Sequence, residues 1–431
     1  MKKFTKLSLV AAVAVAGLTS ANAKPLEEAI KDVDVSGTVT YRYDNFGNDK
    51  SGESDNANKY KINLNLSSKV NDYVKFNSRF NVASGSNDFA SLNKTDGAND
   101  GNVNAALAHA YFGLNVIPAT TVNVGKQGLA TPWTVATDND GGEQTGTGIF
   151  SVTAVDKFVL GLAYFNQTNI NTTNKMFENN RDFDPTNPVA ATSGKDITLD
   201  GSKDIYAATL QANYGIVNAE AWYLNAVDQF DSYTLAVHGK ADLADNANIG
   251  YEVRYVSLSM DKDLYSTLGT LAGNTTDYKK SKGSWIDGTG EDNSMLRVAV
   301  NGKVGIVNAR VAYTVTDKDG GLTALDTDSQ NTSLGWRLNT LAKKDAKFLQ
   351  ATLGADILDN LNFSVSYNSL EYTAAATTTV NANPEQNEIF GQLTYKMSKN
   401  LDGYIRYGQQ DMDKINGSKE NSGRLQVNYK F

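Results

Sequence analysis

Three carboxylates fall within six residues, Asp138, Asp140 and Glu143, in a segment that opens on Lys126-Gln127-Gly128 and passes through Trp133. It closes on Gly146-Thr147-Gly148. Carboxylates at this spacing can gather cations, or can move protons when a nucleophile or a bound metal stands beside them. The second use finds little support in the chain. There are two histidines, His109 and His238, no cysteine, no nucleophile elbow and no HExxH pair, so neither an activated serine nor a zinc-bound water has its partners. Asp138-x-Asp140-Gly141 begins like a calcium loop but lacks the later Glu and the two flanking helices of an EF-hand. Gly146-x-Gly148 leads into a strand pattern rather than a dinucleotide turn. The chain reads as a non-enzyme, and what its acids do depends on the elements that hold them.

Those elements are strands. From Ser422 to Phe431 polar and apolar residues alternate strictly, so Gly423, Leu425, Val427, Tyr429 and Phe431 share one face while Arg424, Gln426, Asn428 and Lys430 share the other. One face suits lipid and the other water. Alternating segments of about ten residues, the length a tilted strand needs to cross an apolar layer, recur eighteen times by this reading, give or take two. They fall near 35–44, 60–68, 73–83, 104–115, 119–126, 149–154, 157–166, 204–214 and 216–225. The rest lie near 231–240, 246–258, 294–304, 306–316, 346–357, 360–371, 387–398, 400–409 and 422–431. Their connections alternate between tight turns, such as Asn213-Tyr214-Gly215-Ile216, and long polar loops near 166–204, 258–294 and 316–346. Turns on one side and loops on the other are the habit of an outer-membrane barrel, and tyrosines at strand ends, as at Tyr43, Tyr60, Tyr73 and Tyr251, suit its interfacial girdle.

The amino terminus agrees with export. Lys2, Lys3 and Lys6 precede an apolar run from Leu7 to Leu18 and then Ala21-Asn22-Ala23, a cleavable signal that would leave residues 24–431 as one barrel domain. Its removal leaves 37 basic against 48 acidic side chains, a net charge of −11, which argues against nucleic acid as a partner. No later stretch is long and apolar enough to be a transmembrane helix.

The fold class is therefore all-β, a transmembrane antiparallel β-barrel of about 18 strands, whose closure leaves no unsatisfied edge in hydrocarbon. The alternation turns Lys61, Asn63, Arg79, Glu220, Glu252, Arg254, Arg297, Arg310, Arg406 and Arg424 inward. A wall so polar must be wet, which makes a pore the default interior. The third long loop, with Trp133 and its glycine-rich return, is expected to fold into the lumen. Asp138, Asp140 and Glu143 would then face Arg79, Arg406 and Arg424 across a narrow gap and filter solutes by charge. Arg297 and Arg310 belong to the same constriction. An internal echo supports the register: Gly215-Ile216-Val217-Asn218-Ala219-Glu220 returns as Gly305-Ile306-Val307-Asn308-Ala309-Arg310, with the inward charge inverted. The inward aromatics Phe390, Tyr404 and Trp222 are too scattered to argue a sugar path.

The chain resembles the major outer membrane protein porins of Campylobacter and related bacteria over its full length. The resemblance is carried by Pro25-Leu26-Glu27-Glu28-Ala29-Ile30-Lys31-Asp32-Val33-Asp34, Tyr41-Arg42-Tyr43-Asp44, Gly125-Lys126-Gln127, Trp133-Thr134, Asp140-Gly141, Gly146-Thr147-Gly148 and the ending Arg424 to Phe431. It implies an eighteen-stranded barrel, assembled as a homotrimer in the outer-membrane lipid, that passes ions and small hydrophilic solutes with a preference for cations. It also implies Ca²⁺ at the constriction, with Asp140 the position carried over. Asp138 and Glu143 could add hard oxygens, although two extra residues between Asp140 and the Gly-Thr-Gly return depart from the family pattern. The contrasting readings are a surface adhesin on a barrel scaffold and a solute-specific channel. An adhesin would not need an inward row of charge.

Overall fold

The computed structural model describes residues 33–48, 54–83, 89–91, 104–138, 141–173, 175–176, 199–262, 291–373, 383–411 and 419–431. The signal segment, Asp140 and most of the loops near 166–204 and 258–294 lie outside them. In chain order the strands are β1 (Val33–Asn48), β2 (Ser54–Asn71), β3 (Val74–Ala83), the two-residue β4 (Ala90–Ser91), β5 (Asn104–Leu114), β6 (Thr120–Gly128) and β7 (Thr145–Val155). Next come β8 (Phe158–Thr168), the single turn α1 (Ile170–Thr173), β9 (Ile205–Asn213), β10 (Asn218–Ala226), β11 (Phe230–Ala244), β12 (Ala247–Met260) and β13 (Asp292–Val304). The wall ends with β14 (Val307–Thr316), β15 (Lys344–Leu358), β16 (Leu361–Thr373), β17 (Glu385–Lys396), β18 (Leu401–Asp411) and β19 (Lys419–Lys430).

Each long strand pairs antiparallel with its neighbours, and β1 pairs with both β2 and β19, so the sheet closes. β4 only touches the outer part of β2 at Lys59 and Tyr60, while β3 pairs directly with β5, which leaves eighteen strands in the wall. Closure near the chain end is tight: Gly37 donates to the Phe431 carbonyl at 2.9 Å, and the Phe431 N–H returns to Gly37 O at 3.1 Å. No ladder group is left over at that seam.

The period of two decides which side chains meet lipid. On β11, Ser232, Thr234 and Ala236 are buried while Tyr233, Leu235 and Val237 stand out. Large apolar residues such as Leu235, Leu353 and Ile405 are 52–60% exposed on the outer face, a pattern that water would penalise and hydrocarbon does not. All eighteen expected segments fall on wall strands. Several strands run longer than their patterns, with β1 reaching Asn48 and β2 beginning at Ser54. Ladder hydrogen bonds continue beyond the apolar layer, where both faces turn polar and alternation no longer marks a strand. In the repeated hairpins, Gly215 and Gly305 take φ of 78° and 57°, the left-handed turn conformation that a Cβ resists.

Two expectations about the interior need correction. The interior is not wet throughout, because Leu129, Trp133, Phe165, Leu224, Phe230 and Leu258 form a buried apolar cluster with Leu322, Leu325 and Leu341. Residues 316–346 are also not a solvated outer loop, since Leu322, Ala324, Leu325, Asp326 and Asn331 have no measurable exposure. Their apolar content needed a surface to cover, and the inner faces of β8 to β12 supply it.

Candidate functional site

The segment between β6 and β7 is bonded to inward-facing side chains from distant parts of the wall. Glu143 is fully buried and accepts from Arg79 on β3: Nε donates to both carboxylate oxygens at 2.9 Å and Nη2 to Oε1 at 2.5 Å. Arg79 Nη1 donates to Asn65 Oδ1 at 2.7 Å, which fixes the fork from the other side. Lys61 on β2, only 1% exposed, donates through Nζ to the carbonyls of Asp138 and Gly141, both at 2.6 Å. On the far wall, Trp133 Nε1 donates to Ser232 Oγ of β11 at 2.7 Å. Gln144 ties the segment to itself and to residues 317–343, accepting from Val135 N at 3.1 Å and donating to Leu325 O at 3.2 Å. The glycine return is a matter of close approach, since a Cβ on Gly148 would stand 2.0 Å from Tyr164 O.

The sequence placed Asp138 and Glu143 opposite arginines across a gap. Instead Glu143 and Arg79 are in direct contact. Burial pushes the Glu143 carboxyl up, but the Arg79 hydrogen bond and charge, with Asn81 and Lys61, outweigh it and hold the group below the usual carboxylate range. Asp138 is buried, and its N–H donates to Glu143 Oε1 at 3.3 Å. Arg406 and Arg424 are engaged on their own wall, Arg406 Nε with Gln392 Oε1 at 2.8 Å and Arg424 Nε with Asp44 Oδ1 at 2.6 Å.

Residues 317–343 make a second set of inward bonds. Arg297 of β13 donates from Nη1 to Thr332 O at 2.5 Å and from Nη2 to Gln330 O at 2.9 Å, and its Nε meets Glu252 at 2.7 Å. Arg254 of β12 pairs with Glu220 at 2.5 Å. Four strands along the wall, Glu388 of β17 accepts from the N–H groups of Trp336 and Arg337 at 2.7 and 2.8 Å. Trp336 lies in a cluster with Phe390, and the Arg406 guanidinium carbon stands 5.0–5.3 Å from the ring centres of Trp336, Phe390 and Tyr404. Phe390 and Tyr404, expected to be scattered, therefore meet at one guanidinium, whereas Trp222 packs edge-on against Trp133. Arg310 alone of the predicted arginines stays exposed, and among the described residues it makes no side-chain hydrogen bond or ion pair. Among the described residues the inner wall thus combines fixed charge pairs with the exposed Arg310, which feels the charges of Glu252 and Arg297 but makes no direct bond to them.

The match that decides the family is the model for the Campylobacter major outer membrane protein, which covers residues 1–431. The chain belongs to the Campylobacter major outer membrane protein family. It is accordingly an outer-membrane protein, and its family and fold point to a channel. Among solved structures, Pseudomonas aeruginosa OccK8 (OprE) superposes with a TM-score of 0.68 at 14% identity, covering 93% of this chain and 98% of that one. P. aeruginosa OpdL gives 0.67 at 14%, covering 93% and 99%, and Acinetobacter baumannii OccAB3 gives 0.67 at 16%, again covering 93% and 99%. At such identity these likenesses speak for the fold. A comparison with curated protein sequences finds no match.

Sequence reasoning missed Glu388, Asp44 and the whole of 317–343 as parts of the inner site. Glu388 and Asp44 were open to the parity argument, since Glu388 lies two residues before the inward Phe390 and Asp44 follows Tyr43, which belongs to the outer girdle. Residues 317–343 carried their own signal, because Leu322, Leu325, Leu334, Trp336, Leu338 and Leu341 are too apolar for a solvated loop.

Proposed function

We propose that this family member is a general diffusion porin, synthesised with a signal peptide removed after Ala23, that passes ions and small hydrophilic solutes as a homotrimer. Residues 126–148 and 317–343 narrow the lumen from two sides, and the charged side chains that meet them sort solutes by charge. The observation that carries this reading is that each segment is bonded to the inner wall at two separate places: Lys61 on β2 and Ser232 on β11, on opposite sides of the barrel, bond one, and Arg297 on β13 and Glu388 on β17, four strands along, bond the other. A barrel serving only to display outer loops has no use for charge buried on its inner face. The preference for cations rests on the mature charge of −11 and on the family resemblance. The exposed Arg310 works against it locally.

Calcium at the constriction remains a proposal carried by the family resemblance through Asp140. Glu143 spends both oxygens on Arg79, and no group of three or more His, Asp or Glu side chains able to hold a metal occurs among the described residues. Asp140 lies outside them.

A solute-specific channel is the second reading, favoured by the aromatic cluster around Arg406. Planar-bilayer recording in opposed salt gradients tests both. Stepwise, weakly selective currents appearing three at a time support the diffusion porin. Currents blocked by micromolar concentrations of one solute class would support the second, and a silent barrel would refute both.

A further inference from the structure

We propose that Glu252 sets the charge met by ions passing residues 317–343: through Oε1 it holds the two arginines that fasten this segment, and through Oε2 it faces the lumen. This role deepens the porin reading and rests on it. Arg297 Nε donates to Glu252 Oε1 at 2.7 Å, and its two terminal nitrogens donate to Thr332 O and Gln330 O. Arg254 Nε, buried and without a hydrogen-bond partner, stands 3.7 Å from the same Oε1. Its Nη1 donates to Asn331 Oδ1 at 3.4 Å. A guanidinium carries its donors in one rigid plane, so holding Nε fixes where the other nitrogens point. One carboxylate oxygen therefore orients both groups that bond Gln330, Asn331 and Thr332.

The second oxygen is placed differently. Among the described residues Glu252 Oε2 accepts no hydrogen bond, and the side chain is 27% exposed, against 3% for Arg254 and 10% for Arg297. Glu252 shares the inner face of β12 with Arg254, two residues on, so this exposure opens on the lumen. Neighbouring carboxylates offer no such oxygen. Glu143 and Glu388 are buried, while Glu220 gives Oε1 to Arg254 and Oε2 to Trp222 Nε1 at 2.8 Å. Within this cluster Glu220 and Glu252 neutralise Arg254 and Arg297, and the exposed Arg310, which feels the charges of Glu252 and Arg297, is left as the excess. Removing the Glu252 charge doubles that excess and turns Arg297 toward passing ions. A unit charge about 4 Å from an ion in water changes its local concentration roughly fivefold.

The test takes two readouts on the full-length mature barrel: the reversal potential in a KCl gradient and the rate of protease nicking between 329 and 333. Glu252→Gln is expected to lower the permeability of cations relative to anions roughly fivefold in dilute salt, less so in concentrated salt, and to speed the nicking. Adding Arg310→Gln restores the charge of the cluster, so the double variant should recover the wild-type permeability ratio while its nicking stays fast. A residue with a structural role alone would leave the ratio shifted in the double variant. An E252Q barrel with the wild-type ratio, or a shift that Arg310→Gln does not reverse, would overturn the selecting role. Unchanged nicking in E252Q would overturn the holding role. If E252Q does not refold, Glu252→Cys takes its place in a chain that has no other cysteine. An anionic thiosulfonate reagent added to the open channel should then raise the cation preference and a cationic one lower it. Indifference to both reagents would overturn the inference, because residue 252 would not face the lumen. A wild-type barrel that conducts nothing sinks the porin reading and this role with it, whereas a conducting barrel indifferent to residue 252 sinks this role alone.

Discussion

Replacing Glu143 by Gln removes one negative charge from a site where the carboxylate is fully buried and Arg79 is 7% exposed. The glutamine keeps the shape and one acceptor, but the three contacts from Nε and Nη2 lose their charge assistance and the guanidinium stays in place. Breaking a buried pair from one side costs about 3–5 kcal/mol. The lower end, about 3 kcal/mol, is roughly a hundredfold in the ratio of seated to released segment. Single-channel recording reads that ratio as the fraction of time spent in brief closures, and E143Q should raise it steeply at neutral pH. Acid should imitate the mutation. Because the folded-state pKa of Glu143 is lowered, its contribution is full above the unfolded-state value and fades as pH falls through the folded one, so wild-type flicker should rise only below roughly pH 4. The double variant Arg79→Met with Glu143→Gln should recover much of the loss, since no charge is then left buried alone. An E143Q channel as quiet as the wild type, with an unchanged unfolding midpoint, would refute the buried-pair reasoning.

Arg310→Glu should raise the permeability of cations relative to anions several-fold, since a free charge within about 4 Å of a passing ion is worth about 1 kcal/mol in water. The reversal potential in a salt gradient measures it, and the effect should shrink at 1 M salt. Glu388→Ala should release residues 336–337, which lose two charge-assisted acceptors worth about 1.5–3 kcal/mol each. Faster protease nicking between 334 and 339 would register the release, while an unchanged digest would refute it. Deleting Phe431 should remove the two backbone bonds to Gly37 that end the β1–β19 seam, and the barrel should lose heat resistance on unboiled gels by comparison with Phe431→Leu, which keeps them.

Much of the wall was legible because its cause is local. A strand crossing hydrocarbon must alternate, and the eighteen alternating segments, the side each residue faces and the sorting of turns from loops all follow from period two and the need to pair every backbone group. The inward parity of Lys61, Arg79, Arg297, Arg310, Arg406 and Arg424 was readable for the same reason. Strand ends such as 45–48 and 54–58 were not, because the solvent is polar on both faces there.

The partner of each charge was decided only by the tertiary structure. Parity places Glu143 and Arg79 in one interior but says nothing of whether they meet or oppose one another. That depends on strand stagger and on the path of a segment whose sequence is mostly Gly, Asp and Thr. The burial of 317–343 belongs to the same class: its leucines and Trp336 demanded cover, and only the closed barrel shows that the inner faces of β8 to β12 and Glu388 provide it. The sequence by itself determined a closed, charged, membrane-spanning wall, because those properties are set residue by residue. Which charges are spent on holding these segments depended on contacts between residues 33 to 80 positions apart, which no local pattern specifies.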